Sequence, residues 1–156
     1  MNINLENLNA CEEGIRWFKD FKNPDHEAVV KQLMVENMFE WANWLIPRLF
    51  DDRDDCINYA VGAVSMVVDS YVLDMMKIII LQSKSLKEIG EEAYKVSWVS
   101  QWGGPVSCAL WCASEPELKR CAAWATHAGT SVSNRDESFN VPIINYGLEL
   151  LNGGSK

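Results

Sequence analysis

The chain has few of the features that mark membrane-spanning, secreted or nucleic-acid-binding proteins. Its apolar run Cys56–Val68 is shorter than the roughly 18 residues that a membrane span needs. Its first residues contain neither the basic nor the apolar segment of a secretory signal. Lys and Arg number 14 against 22 Asp and Glu, for a net charge of −8. These absences predict a cytoplasmic protein that binds no membrane and does not bind nucleic acid directly, because phosphate contacts rely on Lys and Arg.

Sustained alternation of apolar and polar residues is also missing, which argues against a sheet with one solvated face. Apolar residues instead recur at spacings of three and four along most of the chain, as in helices. The length of 156 residues, with 48% hydrophobic and 23% charged residues, fits one globular domain. The sequence therefore predicts an all-α fold: a single domain over residues 1–156, built as a bundle of about six to seven helices.

The apolar stretch Cys56–Val68 is the predicted central helix, around which the others pack. Acidic residues precede it, at the end where a helix dipole favours anions. We expect this helix to run to about Gln82 or to bend near Asp69-Ser70. The segment Met75–Leu81 is apolar nearly all round, which predicts that other elements cover it on several sides. A strand over Lys77–Leu81 is the alternative, because it contains three consecutive isoleucines.

Capping and breaking residues predict where other helices begin and end. Asp25 is expected to open one helix, Pro47 to stop or kink the next, and Ser85–Glu88 to form a capping box. The Gly103-Gly104-Pro105 sequence is expected to end the helix that this box begins. The small, polar segment Gly129–Asn134 is expected to be a mobile loop.

Two groups of carboxylates and one pair of tryptophans are the predicted contacts with a partner protein. They are Asp51, Asp52, Asp54, Asp55, Glu88, Glu91, Glu92, Trp98 and Trp102. The four aspartates also have a sufficient structural explanation as the acidic start of a helix, and the tryptophans could instead fill gaps between helices. If the tryptophans are exposed beside carboxylates, however, they would form a hot spot for a basic protein.

The cysteines and histidines offer an alternative site. Five cysteines, an odd number with no secretory signal, indicate free thiols in a reducing compartment. Cys108 and Cys112 lie one helical turn apart and could join Cys121 and His127 in a zinc-binding or Cys-dependent protein. The spacing matches no strong zinc pattern, and no pattern places a histidine beside a particular cysteine. The favoured prediction is therefore a binding protein with no catalytic residue, metal or cofactor; a homodimer that buries its tryptophan-rich faces is a third possibility.

The stretch Asn9-Ala-Cys-Glu-Glu-Gly-Ile-Arg-Trp-Phe18 resembles the opening segment of immunity proteins found beside polymorphic bacterial toxins and in phage genomes. Trp41-Ala-Asn-Trp-Leu45 is similar to the tryptophan-bearing second segment of that group. The small-residue segments Tyr59–Ala63 and Cys121–Ala125 resemble its Ala-rich middle, and Glu137–Leu151 resembles its closing helix. The resemblance implies a small cytoplasmic inhibitor that binds and blocks a protein with a basic surface, such as a toxin. A phage-borne version would act as an anti-CRISPR or similar inhibitor of a host defence nuclease.

Overall fold

The computed structural model describes residues 3–21, 25–97 and 103–153, in which nine α-helices and two 3₁₀ helices form and no strand occurs. The α-helices are α1 (Glu12–Phe18), α2 (His26–Val35), α3 (Phe39–Leu45), α4 (Arg53–Ser65), α5 (Ser70–Gln82), α6 (Leu86–Ser97), α7 (Gly103–Ser114), α8 (Leu118–Ser133) and α9 (Asn140–Leu151). The 3₁₀ helices span Ile46–Arg48 and Glu137–Phe139. The all-α prediction is confirmed, but six to seven helices is too low. Within the described ranges, no helix combines the length and apolar character needed to cross a bilayer.

The predicted central helix is divided in two, which accounts for part of the difference in helix number. α4 ends at Ser65, and Asp69 then caps α5 by accepting a hydrogen bond from the backbone N–H of Val72 at 2.9 Å. The predicted bend near Asp69-Ser70 is therefore confirmed, whereas the continuous helix and the strand over Lys77–Leu81 are wrong. A side chain that accepts the first free N–H groups of a new helix favours such a restart.

Tyr59 on α4 joins four helices at the centre of the bundle. Its ring is fully buried and lies against the backbone of Gly129 on α8 and Gly147 on α9. Its hydroxyl donates to Oδ1 of Asn43 on α3 at 2.8 Å, and the Asn43 amide donates to Oγ of Ser133 at 3.4 Å. The largest buried side chain in the core thus has its polar end satisfied, as burial requires.

Two predicted breaks are wrong, and each has a local explanation. Gly103-Gly104-Pro105 begins α7 rather than ending α6, because a proline in the first turn removes only an N–H that has no partner within the helix. The predicted loop Gly129–Asn134 belongs to α8 as far as Ser133. There the Thr130 hydroxyl donates to the Thr126 carbonyl at 2.9 Å, so a polar side chain is accommodated within the helix.

The helices α6, α7 and α8 pack against one another in succession, and α4 lies against α7 and α8. Successive helices run antiparallel, because the end of α7 lies beside the starts of both α6 and α8. Gly90 near the start of α6 lies beside Ser114 at the end of α7. Nη2 of Arg53, at the start of α4, donates to the carbonyl of Ala113 at 2.8 Å. The starts of α4, α6 and α8 and the end of α7 therefore share one end of the bundle.

Candidate protein-binding interface

The outer side of α5 exposes large apolar side chains. We name it the α5 face, and it consists of Tyr71, Met75, Ile78 and Leu81, which are 73%, 44%, 46% and 82% exposed. Spacings of four, three and three residues place these side chains on one side of the helix. On the opposite side Met76 is 1% exposed, and it is the only residue of α5 that is fully buried.

The position of α5 at the edge of the bundle explains this exposure. The helix contacts α4, α6 and α7 along one side, and no described element covers the other. The expectation that Met75–Leu81 is covered on several sides is therefore wrong. An apolar helix predicts a covering element, but its own sequence cannot say whether that element belongs to the same chain or to a partner.

The four predicted aspartates lie at the start of α4 and differ in what they do. Asp52 caps the helix by accepting from the N–H of Asp55 at 2.9 Å. Asp51 and Asp54 are exposed, and Asp55 is half-buried. Asp51 and Asp55 line a small recess together with His26 at the start of α2. Asp51 and Asp54 are thus the carboxylates of this group that a partner reaches with least disturbance to the fold.

The three predicted glutamates of α6 also have roles within the chain. One half of the predicted capping box forms, since the N–H of Glu88 donates to Ser85; in the other half Glu88 accepts from the N–H of Lys84 at 2.7 Å rather than from that of Ser85. Glu91 lies 3.7 Å from the ammonium group of Lys87. Glu92 pairs with Lys95 one turn along the same helix.

These pairs offset much of the negative charge of α6, so its glutamates contribute less to an acidic field than their number suggests. Both carboxylate groups nevertheless share one end of the bundle, because α4 and α6 begin there. We name this region, Asp51–Asp55 with Glu88–Glu92, the acidic end. The predicted anchors Trp98 and Trp102 lie outside the described residues.

A cavity of about 550 Å³ between α1, α2, α3 and α8 is a further concave feature. Its wall draws on both distinctive segments of the sequence, Asn9–Phe18 and Trp41–Leu45, and on His127. The rings of Trp17 and Trp41 meet there at 88° with centroids 6.2 Å apart. Sequence patterns marked the two segments as distinctive but could not show that they share a wall, since a chain connection of about twenty residues separates them.

The cysteines come together in a different set from the predicted one. Cys112 and Cys121 are neighbours, but the third thiol beside them is that of Cys56. Cys108 lies instead near the Ser131 hydroxyl, and the ring of His127 packs against Trp124. Among the described residues, no group of three or more His, Cys, Asp and Glu side chains is arranged to hold a metal ion.

The candidate interface therefore consists of the α5 face and the acidic end. The Glu88–Glu92 part of the acidic end follows the α5 face directly, because α5 ends at Gln82 and α6 begins four residues later at Leu86, which is itself partly exposed. Comparisons of the chain with protein-family models, curated proteins and solved structures found no match. The assignment of this interface rests on exposure, charge and topology.

Proposed function

We propose that this chain is a non-enzymatic inhibitor that binds another protein and covers a basic surface on it. The observation that carries the proposal is the α5 face, four exposed apolar side chains on a helix that has a single fully buried residue. A helix at the surface of a monomer normally turns such side chains toward its own core. Several exposed apolar side chains on one side of a helix favour a protein contact.

The negative charge of the chain favours a partner protein with a positively charged surface. The net charge of −8 and the exposed Asp51 and Asp54 at the acidic end favour a protein with basic residues around an apolar groove. Opposite charges increase the rate of association and suppress wrong partners. A groove that binds nucleic acid has this character, because it must neutralise phosphates.

The resemblance to immunity proteins suggests which class of protein this chain inhibits. It implies a bacterial toxin or a defence nuclease, including a CRISPR effector, as the protein that is blocked. An acidic helical protein presents the same sign of charge as a nucleic acid and can occupy its channel. The proposed mechanism needs no catalytic residue, metal or cofactor in this chain.

The first experiment tests the acidic end by charge reversal. Asp51→Lys/Asp54→Lys spares the cap Asp52, and the matched control Asp20→Lys/Glu137→Lys makes the same charge change on exposed residues away from this end. Tagged proteins are incubated with host lysate, and the captured nuclease is assayed for cleavage with each purified variant. We expect the first variant to capture less of the nuclease and to inhibit it less. The control should capture and inhibit it as the wild type does, and its capture should weaken as the salt concentration rises. Equal inhibition by both variants would remove the acidic end from the interface.

The second experiment tests the α5 face. The variant Met75→Gln/Ile78→Gln/Leu81→Gln is expected to lose capture and inhibition while keeping a thermal midpoint close to that of the wild type, since none of these side chains packs against the core. Val35→Gln/Val141→Gln, which changes exposed apolar residues on α2 and α9, is the control and should inhibit normally.

Light scattering distinguishes a foreign partner from a second copy. The proposal predicts a molar mass near 17.7 kDa for the wild type and for the α5 variant. A wild-type mass near twice that value, returning to 17.7 kDa in the α5 variant, would assign the α5 face to a homodimer and overturn the proposal.

A further inference from the structure

Three thiols from three helices meet inside the bundle. Cys56 on α4, Cys112 on α7 and Cys121 on α8 are fully buried. The sulfur atoms of Cys112 and Cys121 are 3.0 Å apart, and each lies 3.3 Å from the backbone carbonyl oxygen of the other residue. Two cysteines on adjacent antiparallel helices thus face each other at a separation that only a small movement would close to a bond.

The surroundings make the two sulfurs chemically unequal. Hydrogen bonds from the Cys112 and Cys56 thiols, helped by the nearby Arg53 guanidinium, hold the pKa of Cys121 well below its ordinary value. The same hydrogen bond to Cys121, together with burial, raises the pKa of Cys112. Within the described part of the chain, Nε of Arg53 is a buried donor without a hydrogen-bond partner. The lowered pKa and the nearby Arg53 guanidinium favour Cys121 as the first of the two thiols to lose its proton.

We propose that Cys112 and Cys121 are a reversible redox pair that a peroxide converts to a disulfide between α7 and α8. The Cys121 thiolate attacks one peroxide oxygen, the O–O bond breaks, and the departing hydroxide takes a proton to become water. The resulting Cys121 sulfenic acid is attacked by the sulfur of Cys112, which loses its proton as the S–S bond forms and a second water leaves. Two thiols are oxidised and one peroxide is reduced to two waters; a small dithiol reverses the change.

The turn between the two helices is the route by which a peroxide reaches the pair. Cys112 and Cys121 lie close to the residues that connect α7 to α8, at the acidic end of the bundle. An ion pair between the exposed Arg120 guanidinium and the buried Glu115 carboxylate, 3.1 Å apart, spans this turn. Short opening of a helix end exposes groups that are buried on average, and hydrogen peroxide is nearly as small as water.

The test uses the full chain with Cys11→Ser/Cys108→Ser, which leaves only the three clustered thiols. The folded protein is treated with hydrogen peroxide, denatured, alkylated with iodoacetamide and digested with trypsin. Because trypsin cleaves after Lys119 and Arg120, Cys112 and Cys121 are released on separate peptides. We expect a disulfide-linked pair of these peptides, one alkylated thiol at Cys56, and three alkylated thiols after dithiothreitol.

A second variant distinguishes disulfide formation between Cys112 and Cys121 from unspecific oxidation of thiols. In the same background, Cys112→Ala removes the partner of the Cys121 sulfenic acid, which dimedone should then label. Three alkylated thiols after peroxide treatment of the parent protein, or a linkage that joins Cys56 to either cysteine, would overturn the proposal. The peptide map of the parent protein decides the question even if the Cys112→Ala variant fails to fold.

Discussion

Gly147 on α9 offers a sharp test of how the core is packed, because alanine there meets two side chains that cannot move away. A Cβ at this position would lie 2.7 Å from Cγ2 of Ile46 and 2.8 Å from Cε2 of Tyr59. Both neighbours are fully buried. Tyr59 is further fixed on its far side, where its hydroxyl bonds Asn43 and its ring contacts the backbone of Gly129.

The size of the effect follows from two opposing contributions. Glycine to alanine inside a helix ordinarily stabilises it by about 1 kcal/mol. Forcing a methyl group into a filled core costs about 1–3 kcal/mol, and two rigid neighbours at less than 3 Å place Gly147→Ala at the upper end of that range. The net expectation is a loss of about 1–2 kcal/mol in the free energy of unfolding.

Gly14→Ala is the matched control, with the opposite expected sign. Its Cβ would lie 3.6 Å from the sulfur of Cys11 and 3.9 Å from Trp41, which is ordinary contact. This variant should therefore be as stable as the wild type or more stable by up to about 1 kcal/mol. Urea unfolding followed by circular dichroism measures both, and an unchanged slope with a shifted midpoint identifies a change in stability. If Gly147→Ala unfolds at the same urea concentration as Gly14→Ala, the close packing of Tyr59 between two glycines is refuted.

Two further predictions concern single hydrogen bonds. Tyr59→Phe leaves the buried Oδ1 of Asn43 without its donor and should lower the free energy of unfolding by about 1–2 kcal/mol in the same urea assay. Glu36 accepts hydrogen bonds from Gln32 and from the indole N–H of Trp17, which lower its pKa below the ordinary 4.5. Its charged form is thus favoured on folding, so its stabilising contribution is present above pH 4.5 and is lost as the pH falls through the lowered pKa. The Trp17 indole proton resonance should titrate with a midpoint below 4.5, and Glu36→Gln should abolish that titration.

Signals that act within one turn of the chain could be predicted from the sequence. The cap Asp25, the Ser85–Glu88 capping box and the restart at Asp69 each depend on a side chain and an N–H group three or four residues away. The core of α4 was also predictable, since its apolar stretch is buried. Such features need no knowledge of distant neighbours, and for this reason local patterns are sufficient.

Features that depend on distant contacts could not be predicted in the same way. Gly129 was expected in a loop, but it is a site of close approach for Tyr59, seventy residues earlier, and the helix continues through it. The cysteine trio is formed by α4, α7 and α8, and no spacing in the sequence relates Cys56 to the other two. The exposure of the α5 face is likewise decided by which helices reach it.

The same exposure that supports α5 as the proposed interface also leaves one side of the helix without contacts to the rest of the bundle. A helix of 13 residues is marginal in water when it stands alone. Within the chain, α5 is held by its Asp69 cap, by the burial of Met76 and by four partly buried side chains that pack against the core, while the α5 face lies outside the core; the four are Val72, Leu73, Ile79 and Ile80. A partner that covers this face would therefore add apolar burial to α5. Binding and local stability are coupled at α5, because a partner that binds only the folded helix lowers the free energy of the folded state relative to the unfolded one.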